Sequence, residues 1–249
     1  VGEGDVAVID PGPDQSAHVE ALLSALGSER VAAILITHTH RDHSPASRPL
    51  ACATGAPVVG CAPLALEDDG PRADAAFDPD YLPDRVLGDG EQVAGPGWTI
   101  AAVATPGHTS NHLCFAFQEA EALFTGDHVM GWSTTIVSPP DGDMADYMSS
   151  LELLLARHDR IYYPTHGPAI PDPKAHVRAL IGHRQMREAQ ILAQLEAGEG
   201  SIANMVGALY TDTDPALYPA AERSVLAHLL DLEQRGWVAS AGNIWNLAQ

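Results

Sequence analysis

Short apolar runs fill the first two-thirds of the chain, and their spacing switches between the two-residue repeat of strands and the wider repeat of helices. Residues 6–9 read as a strand and residues 14–26 as an amphipathic helix. The run over residues 31–37 is apolar up to Thr37 and rich in branched side chains, which suits a strand covered on both faces. Ser44-Pro45 carries a helix-start signature, with serine as cap and proline at the first helical position. Strands then dominate, at 58–61, 85–87, 99–104, 113–117 and 122–124, punctuated by the turn sequences Gly88-Asp89-Gly90 and Gly95-Pro96-Gly97. Residues 143–157 predict a helix with Met144, Tyr147, Met148, Leu151 and Leu155 along one core-facing side, and residues 161–163 a last short strand.

The rhythm changes after residue 172. Residues 174–195 predict one long helix, ended by Gly198-Glu199-Gly200. Two shorter helices follow at 202–210 and 221–235, then a strand pair around Trp237-Val238 and Ile244-Trp245. Helices closed by a small hairpin describe a winged-helix-like module, so the expected division is a catalytic domain over 1–172 and an appended unit over 173–249. Residues 1–5 read as a hairpin turn, which places an expected partner strand ahead of residue 1.

Composition adds limits. A chain of 249 residues has room for one large domain and a small one. No apolar run approaches the length of a bilayer span, and the N-terminus lacks a signal-peptide layout, so a cytoplasmic setting without membrane contact is expected. Cys52, Cys61 and Cys114 show no metal or redox spacing and read as small buried hydrophobes. The formal charge is −20 and Lys174 is the only lysine, a field that attracts cations and opposes extensive phosphate contacts. Residues 201–249 hold five acids and two bases, so the hairpin-closed tail lacks the basic face of a DNA reader; a cap over the active site or a homodimer contact suits it better.

Chemistry concentrates at strand ends. His38-Thr39-His40-Arg41-Asp42-His43 follows the buried strand, and Thr105-Pro106-Gly107-His108-Thr109, Thr125-Gly126-Asp127-His128 and Pro164-Thr165-His166-Gly167-Pro168 each follow another. Asp10-Pro11-Gly12-Pro13 is a fifth such segment. Any one histidine here is ordinary. Four His and Asp side chains within six residues, crowded at the end of a buried strand, are costly unless a cation gathers them. Divalent metal binding is therefore the expected chemistry.

The order His38-x-His40-x-Asp42-His43, then His108, Asp127 and His166, resembles the signature of the metallo-β-lactamase-fold hydrolases, from about residue 5 to residue 170. The resemblance implies an α+β fold, a four-layer αββα sandwich with the site at one edge. It assigns His38, His40 and His108 to one metal, and Asp42, His43 and His166 to a second, with Asp127 bridging. It implies hydrolysis by water activated between two divalent ions, most readily Zn2+, with Mn2+ or iron also suited to nitrogen and oxygen donors. Asp42 is the expected catalytic residue besides its ligand role. An aspartate at 127 and the lack of a cysteine ligand set the pattern nearer the glyoxalase II and nuclease branches than the cysteine-containing lactamases.

A narrower resemblance, to the β-lactamase-like protein 2 group, rests on residues 131–135, 146–151 and 181–188. That group carries a C-terminal winged-helix-like domain and includes a single-strand-specific endoribonuclease. It implies substrate contacts from Thr134, His183 and Arg184. Three functions follow as alternatives: a phosphodiesterase on single-stranded RNA; a hydrolase of thioesters, lactones or esters, with weak β-lactam turnover open to either; and, from another class, a non-enzymatic metal-containing DNA-binding regulator, disfavoured by the tail's charge and the full ligand set. Among the remaining histidines, His112 is expected to fix the strand after it and His128 to support Asp127, while His18, His158, His176 and His228 read as solvated or boundary positions.

Overall fold

In the computed structural model, residues 1–64 and 77–248 are described. The first sheet holds β1 (Asp5–Ile9), β2 (Arg30–Ile36), β3 (Val58–Gly60) and β4 (Arg85–Val86) in that order, all parallel. Parallel strands need crossovers, and α1 (Ser16–Leu26) and α2 (Ser47–Thr54) supply two of them. The second sheet runs β5 (Gln92–Gly95), β6 (Trp98–Ala104), β7 (Leu113–Phe117), β8 (Ala122–Gly126) and β9 (Ile161–Pro164); only the last pair is parallel, and α3 (Met144–Ala156) makes that crossover.

Period-two alternation builds the layers. On β6 and β7, Trp98, Ile100, Ala102, Leu113 and Phe115 face β1–β3 in one core, while Val103, Cys114 and Ala116 face α3 in another. Leu50 and the half-buried Leu23 and Leu26 bring α1 and α2 onto the first core, giving helices, sheet, sheet, helices. The expected four-layer αββα sandwich is the fold observed. Strand β2 is buried almost throughout, as its unbroken apolar run requires.

After β9 comes α4 (Pro173–Glu196), opened by the Asp172 carboxylate, which accepts from the Ala175 amide, and by Pro173. Its first half contributes Val177 and Leu180 to the core around α3, and its second half gives Ile191 and Leu195 to a third core. That third core is completed by α5 (Ile202–Leu209), α6 (Tyr218–Gln234) and the antiparallel pair β10 (Val238–Ala241) and β11 (Ile244–Leu247). This is the expected winged-helix-like module. Among the described residues no helix is long and apolar enough to cross a membrane.

Several expectations need correction. No helix starts at Ser44: residues 41–46 form turns, α2 begins at Ser47, and Ala46 caps it without a side-chain bond. The Ser44 hydroxyl donates to Asp78 instead, and the Ser44 amide to the His40 carbonyl. Strand β5 escaped prediction because its Gln-Val-Ala-Gly sequence has no alternation to read. Cys52 is exposed, unlike Cys61 and Cys114. His228 is buried, not solvated, and His18 and His176 are tied to the Pro11 and Met130 carbonyls.

Candidate metal centre

The site lies along one edge of the sandwich, where β2, β6, β8 and β9 end. Strand β2 delivers Thr37, His38 and Thr39, all fully buried. The chain then turns back, with the His43 and Ser44 amides both donating to the His40 carbonyl, so His40, Asp42 and His43 leave a single turn. Gly107 permits the β6–β7 loop to pass α3: its φ is +131°, and a Cβ there would lie 2.3 Å from the Tyr147 Cα. His108 stands next in sequence. Asp127 follows β8, its amide donating to His112 Nε2 at 3.3 Å. His166 follows β9.

Hydrogen bonds on the outer ring nitrogens fix which nitrogens face inward. The Thr37 hydroxyl has one proton and donates it to Asp10 Oδ2 at 2.7 Å, so toward His38 Nδ1, at 2.9 Å, it must accept. His38 is thereby protonated at Nδ1 and presents the Nε2 lone pair. His108 Nδ1 donates to the Ile136 carbonyl at 2.7 Å and likewise presents Nε2. These two nitrogens lie 3.0 and 3.1 Å from His40 Nδ1. One His40 proton satisfies at most one of them. Three imidazole nitrogens around a tetrahedral ion, each bonded at about 2.0–2.1 Å, stand about 3.3 Å apart, close to this arrangement. The donor set fits a divalent cation.

The second group is Asp42, His43 and His166, whose donor atoms all lie within 4.8 Å of one another. His166 Nε2 is 3.1 Å from Asp42 Oδ2. His43 Nδ1 donates to Asp10 Oδ2 at 2.9 Å, which leaves its Nε2 facing inward. Asp127 sits between the groups, with Oδ1 3.5 Å from His43 Nε2 and Oδ2 3.5 Å from His166 Nε2 and 4.0 Å from His108 Nε2. His43 Nε2 and Asp127 Oδ1 are buried, and neither has a hydrogen-bond partner. Buried polar atoms of native proteins are rarely left so, and a shared cation would satisfy both.

Electrostatics agree with the geometry. Burial, then the neighbouring His43, holds His38 well below its ordinary value; burial, then His40, brings His108 down to about 4. Both are neutral at neutral pH, with a lone pair able to bind a cation. Burial alone would lower His43 as well, but the Asp10 and Asp127 carboxylates outweigh it and raise it to about 10. That field stabilises positive charge at His43 Nε2, and a metal ion in the proton's place would meet the same field.

All seven side chains singled out in the sequence thus converge. Thr134, His183 and Arg184 do not join them: they line a cavity on the other side of residues 130–136. Sequence reasoning gave no role to two residues beside the seven. Asp10 accepts from the Thr37 amide, the Thr37 hydroxyl and His43, holding two ligands in orientation at once. Asp10 closes a group with His38 and His43, but these bonds occupy its oxygens and make it an orienting partner. Trp132, 71% exposed, stacks on His166 with ring centroids 6.1 Å apart and planes 5° from parallel. Asp10 sat in a flagged strand-end segment; nothing in sequence marked Trp132 for this contact.

Comparison with known proteins points the same way. The metallo-β-lactamase superfamily matches residues 1–166, and the β-lactamase-associated winged helix domain matches residues 201–245. An atrochrysone carboxyl ACP thioesterase of Aspergillus fumigatus is 36% identical over 192 residues, covering 76% of this chain and 56% of that protein. A β-lactamase-like protein 2 homolog of Drosophila melanogaster is 31% identical over 217 residues, covering 82% and 68%. The chain spans little more than half the length of the fungal relatives it matches. Among solved structures, a metallo-β-lactamase family protein of Thermus thermophilus has the same fold, with a TM-score of 0.77 over 99% of this chain and 91% of that one at 24% identity. A protein solved in a di-iron-bound form is 29% identical, with a TM-score of 0.53 over 66% of this chain and 82% of its own. The chain therefore belongs to the metallo-β-lactamase superfamily, among the members that append a winged helix to the αββα sandwich.

Proposed function

We propose that the protein is a dinuclear metal-dependent hydrolase of thioesters and related activated acyl esters. The observation that carries the metal reading is the pair of unpartnered buried atoms, His43 Nε2 and Asp127 Oδ1, set between two donor triads. Two divalent ions held by His38, His40 and His108, and by Asp42, His43 and His166, with Asp127 between, would supply an acidified water and a Lewis acid for the substrate oxygen. Zinc is the first assignment; iron is the second, supported by the relative solved with two irons.

The protein's own groups do the rest. The Asp42 side chain is 54% exposed and stands on the open side of the cluster, where it orients the attacking water by accepting its hydrogen bond. Trp132 and His166 form a flat wall at the mouth against which an apolar acyl or thiol portion stacks. Acyl rather than phosphodiester substrates are favoured by the charge of −20, which repels a polyanion, and by the similarity to an acyl-carrier thioesterase. The two bases of the winged helix are engaged within the protein, Arg223 with Ser138 and Pro139 and Arg235 with Glu188 and Asp231, so neither is free for DNA phosphates.

Metal-loaded protein assayed against a panel of acyl thioesters and against labelled single-stranded RNA tests the reading, with Asp127→Ala as control. Thioester turnover that falls at least a hundredfold in the variant is expected. RNA cleavage abolished by Asp127→Ala, with no thioester turnover, would keep the metal centre and overturn the substrate class.

A further inference from the structure

Two arginines lie where arginines are rarely found without a counter-ion. Arg184 and Arg187, one turn apart on α4, are only 3% and 9% exposed. Arg184 donates to the Thr135 carbonyl and, at 3.4 Å, to the Ser224 hydroxyl, and lies over the Tyr147 ring. Arg187 donates to the Leu209 carbonyl at 3.1 Å and lies 4.1 Å from the Tyr210 ring centroid. Among the described residues neither forms an ion pair, and the Nε of each is buried without a partner, as is Nδ1 of the adjacent His183. Carbonyls and ring faces satisfy some donors but leave both charges uncompensated. A guanidinium keeps its proton at any physiological pH, so the deficit cannot be relieved by titration. The chain as a whole has acid in excess, with 33 Asp and Glu to 13 Lys and Arg, yet among the described residues no carboxylate lies within ion-pair distance of either arginine.

All three residues line one cavity of about 320 Å³, at the small end of ligand sites, between residues 130–136 and the winged helix. Met130, Ile136, Leu217 and Ala221 make its walls partly apolar, and Thr213 and Ser224 add hydroxyls. We infer that this cavity binds a small amphiphilic oxyanion, a carboxylate or phosphate monoester with an apolar body, whose charged end is held by Arg184, Arg187 and His183. A bidentate oxyanion matches the guanidinium fork, and the hydrocarbon portion matches the apolar wall. The inference does not depend on which ester the metal centre cleaves.

The cavity shares a wall with the metal centre. Thr135, whose carbonyl takes the Arg184 bond, gives its own hydroxyl to the Asp127 carbonyl. The next residue, Ile136, accepts the His108 Nδ1 proton. An anion seated on the arginines therefore bears on the segment that holds one ligand and the bridge.

Calorimetric titration of the metal-loaded protein with hexanoate, hexyl phosphate and hexanol tests it. At least one hexyl anion should bind one to one, at least tenfold more tightly than hexanol; which of the two binds better identifies the headgroup. Binding should survive His40→Ala and weaken at least tenfold in Arg187→Met and in Ala220→Phe. The second variant fills the cavity without touching either charge, and it decides alone if Arg187→Met fails to melt cooperatively. Equal affinity for hexanol, no binding of either anion, or binding lost in His40→Ala and kept in Ala220→Phe would overturn the assignment.

Discussion

Asp10 shows how much of the centre depends on a residue outside the ligand set. Its carboxylate accepts hydrogen bonds from His43 Nδ1 and from the Thr37 hydroxyl, and Thr37 in turn accepts one from His38 Nδ1. One carboxylate thus sets the tautomer of an imidazole in each donor triad. Asp10→Asn keeps the shape but loses the charge and one acceptor, so metal affinity should fall about 10- to 100-fold, the usual cost of losing an orienting partner. Competition with a chromophoric chelator measures this, and unchanged affinity would contradict the role. The seven donors were legible because they crowd at strand ends in the sequence. Asp10 and Trp132 were less so, since their roles arise from contacts with His43 and His166 made only in the folded chain. His228 misled for the opposite reason: it lies on a helix whose core face is defined by the winged helix around it.

At the scale of elements, the sandwich places its ligands through close approaches that local propensity does not reveal. The β6–β7 loop passes against α3 only because residue 107 is glycine. Gly107→Ala should cost at least about 2 kcal/mol, from overpacking against Tyr147 and an unfavourable backbone, and should shift His108 with it. A urea unfolding midpoint within error of the parent would argue against this. The buried strands of the first sheet were readable as apolar runs, whereas the helix forecast at Ser44 failed because the turn that delivers Asp42 and His43 overrides a good capping sequence. Helix α6 carries a second test. His228 is buried and held down at about 3, by burial first and then by Arg184 and Arg187. Its folded value lies below the ordinary 6.5, so the stability its neutral form contributes is complete above pH 6.5 and is lost as pH falls toward 3. His228→Leu should flatten that part of the stability–pH curve in chemical denaturation at pH 4 and pH 7; an unchanged slope would show that His228 does not govern it.

For the molecule as a whole, a net charge of −20 surrounds a donor cluster that could hold cations. A charge of −20 draws cations toward a site already lined with carboxylates, and the buried arginines of α4 concentrate positive charge on the far side of residues 130–136. The change of rhythm after residue 172 falls at the start of α4. The continuous α4, whose first half joins the core around α3 and whose second half joins the winged helix, was visible only as a long periodic stretch. The substrate was not legible, because the donor set prescribes the chemistry, while side chains at the mouth such as Trp132 are placed there by the fold. The most direct test is to titrate metal-free protein with Zn2+ while following hydrolysis of an acyl thioester. Turnover should rise to a plateau at two equivalents per chain; full turnover at one equivalent, or none at any loading, would overturn the dinuclear reading.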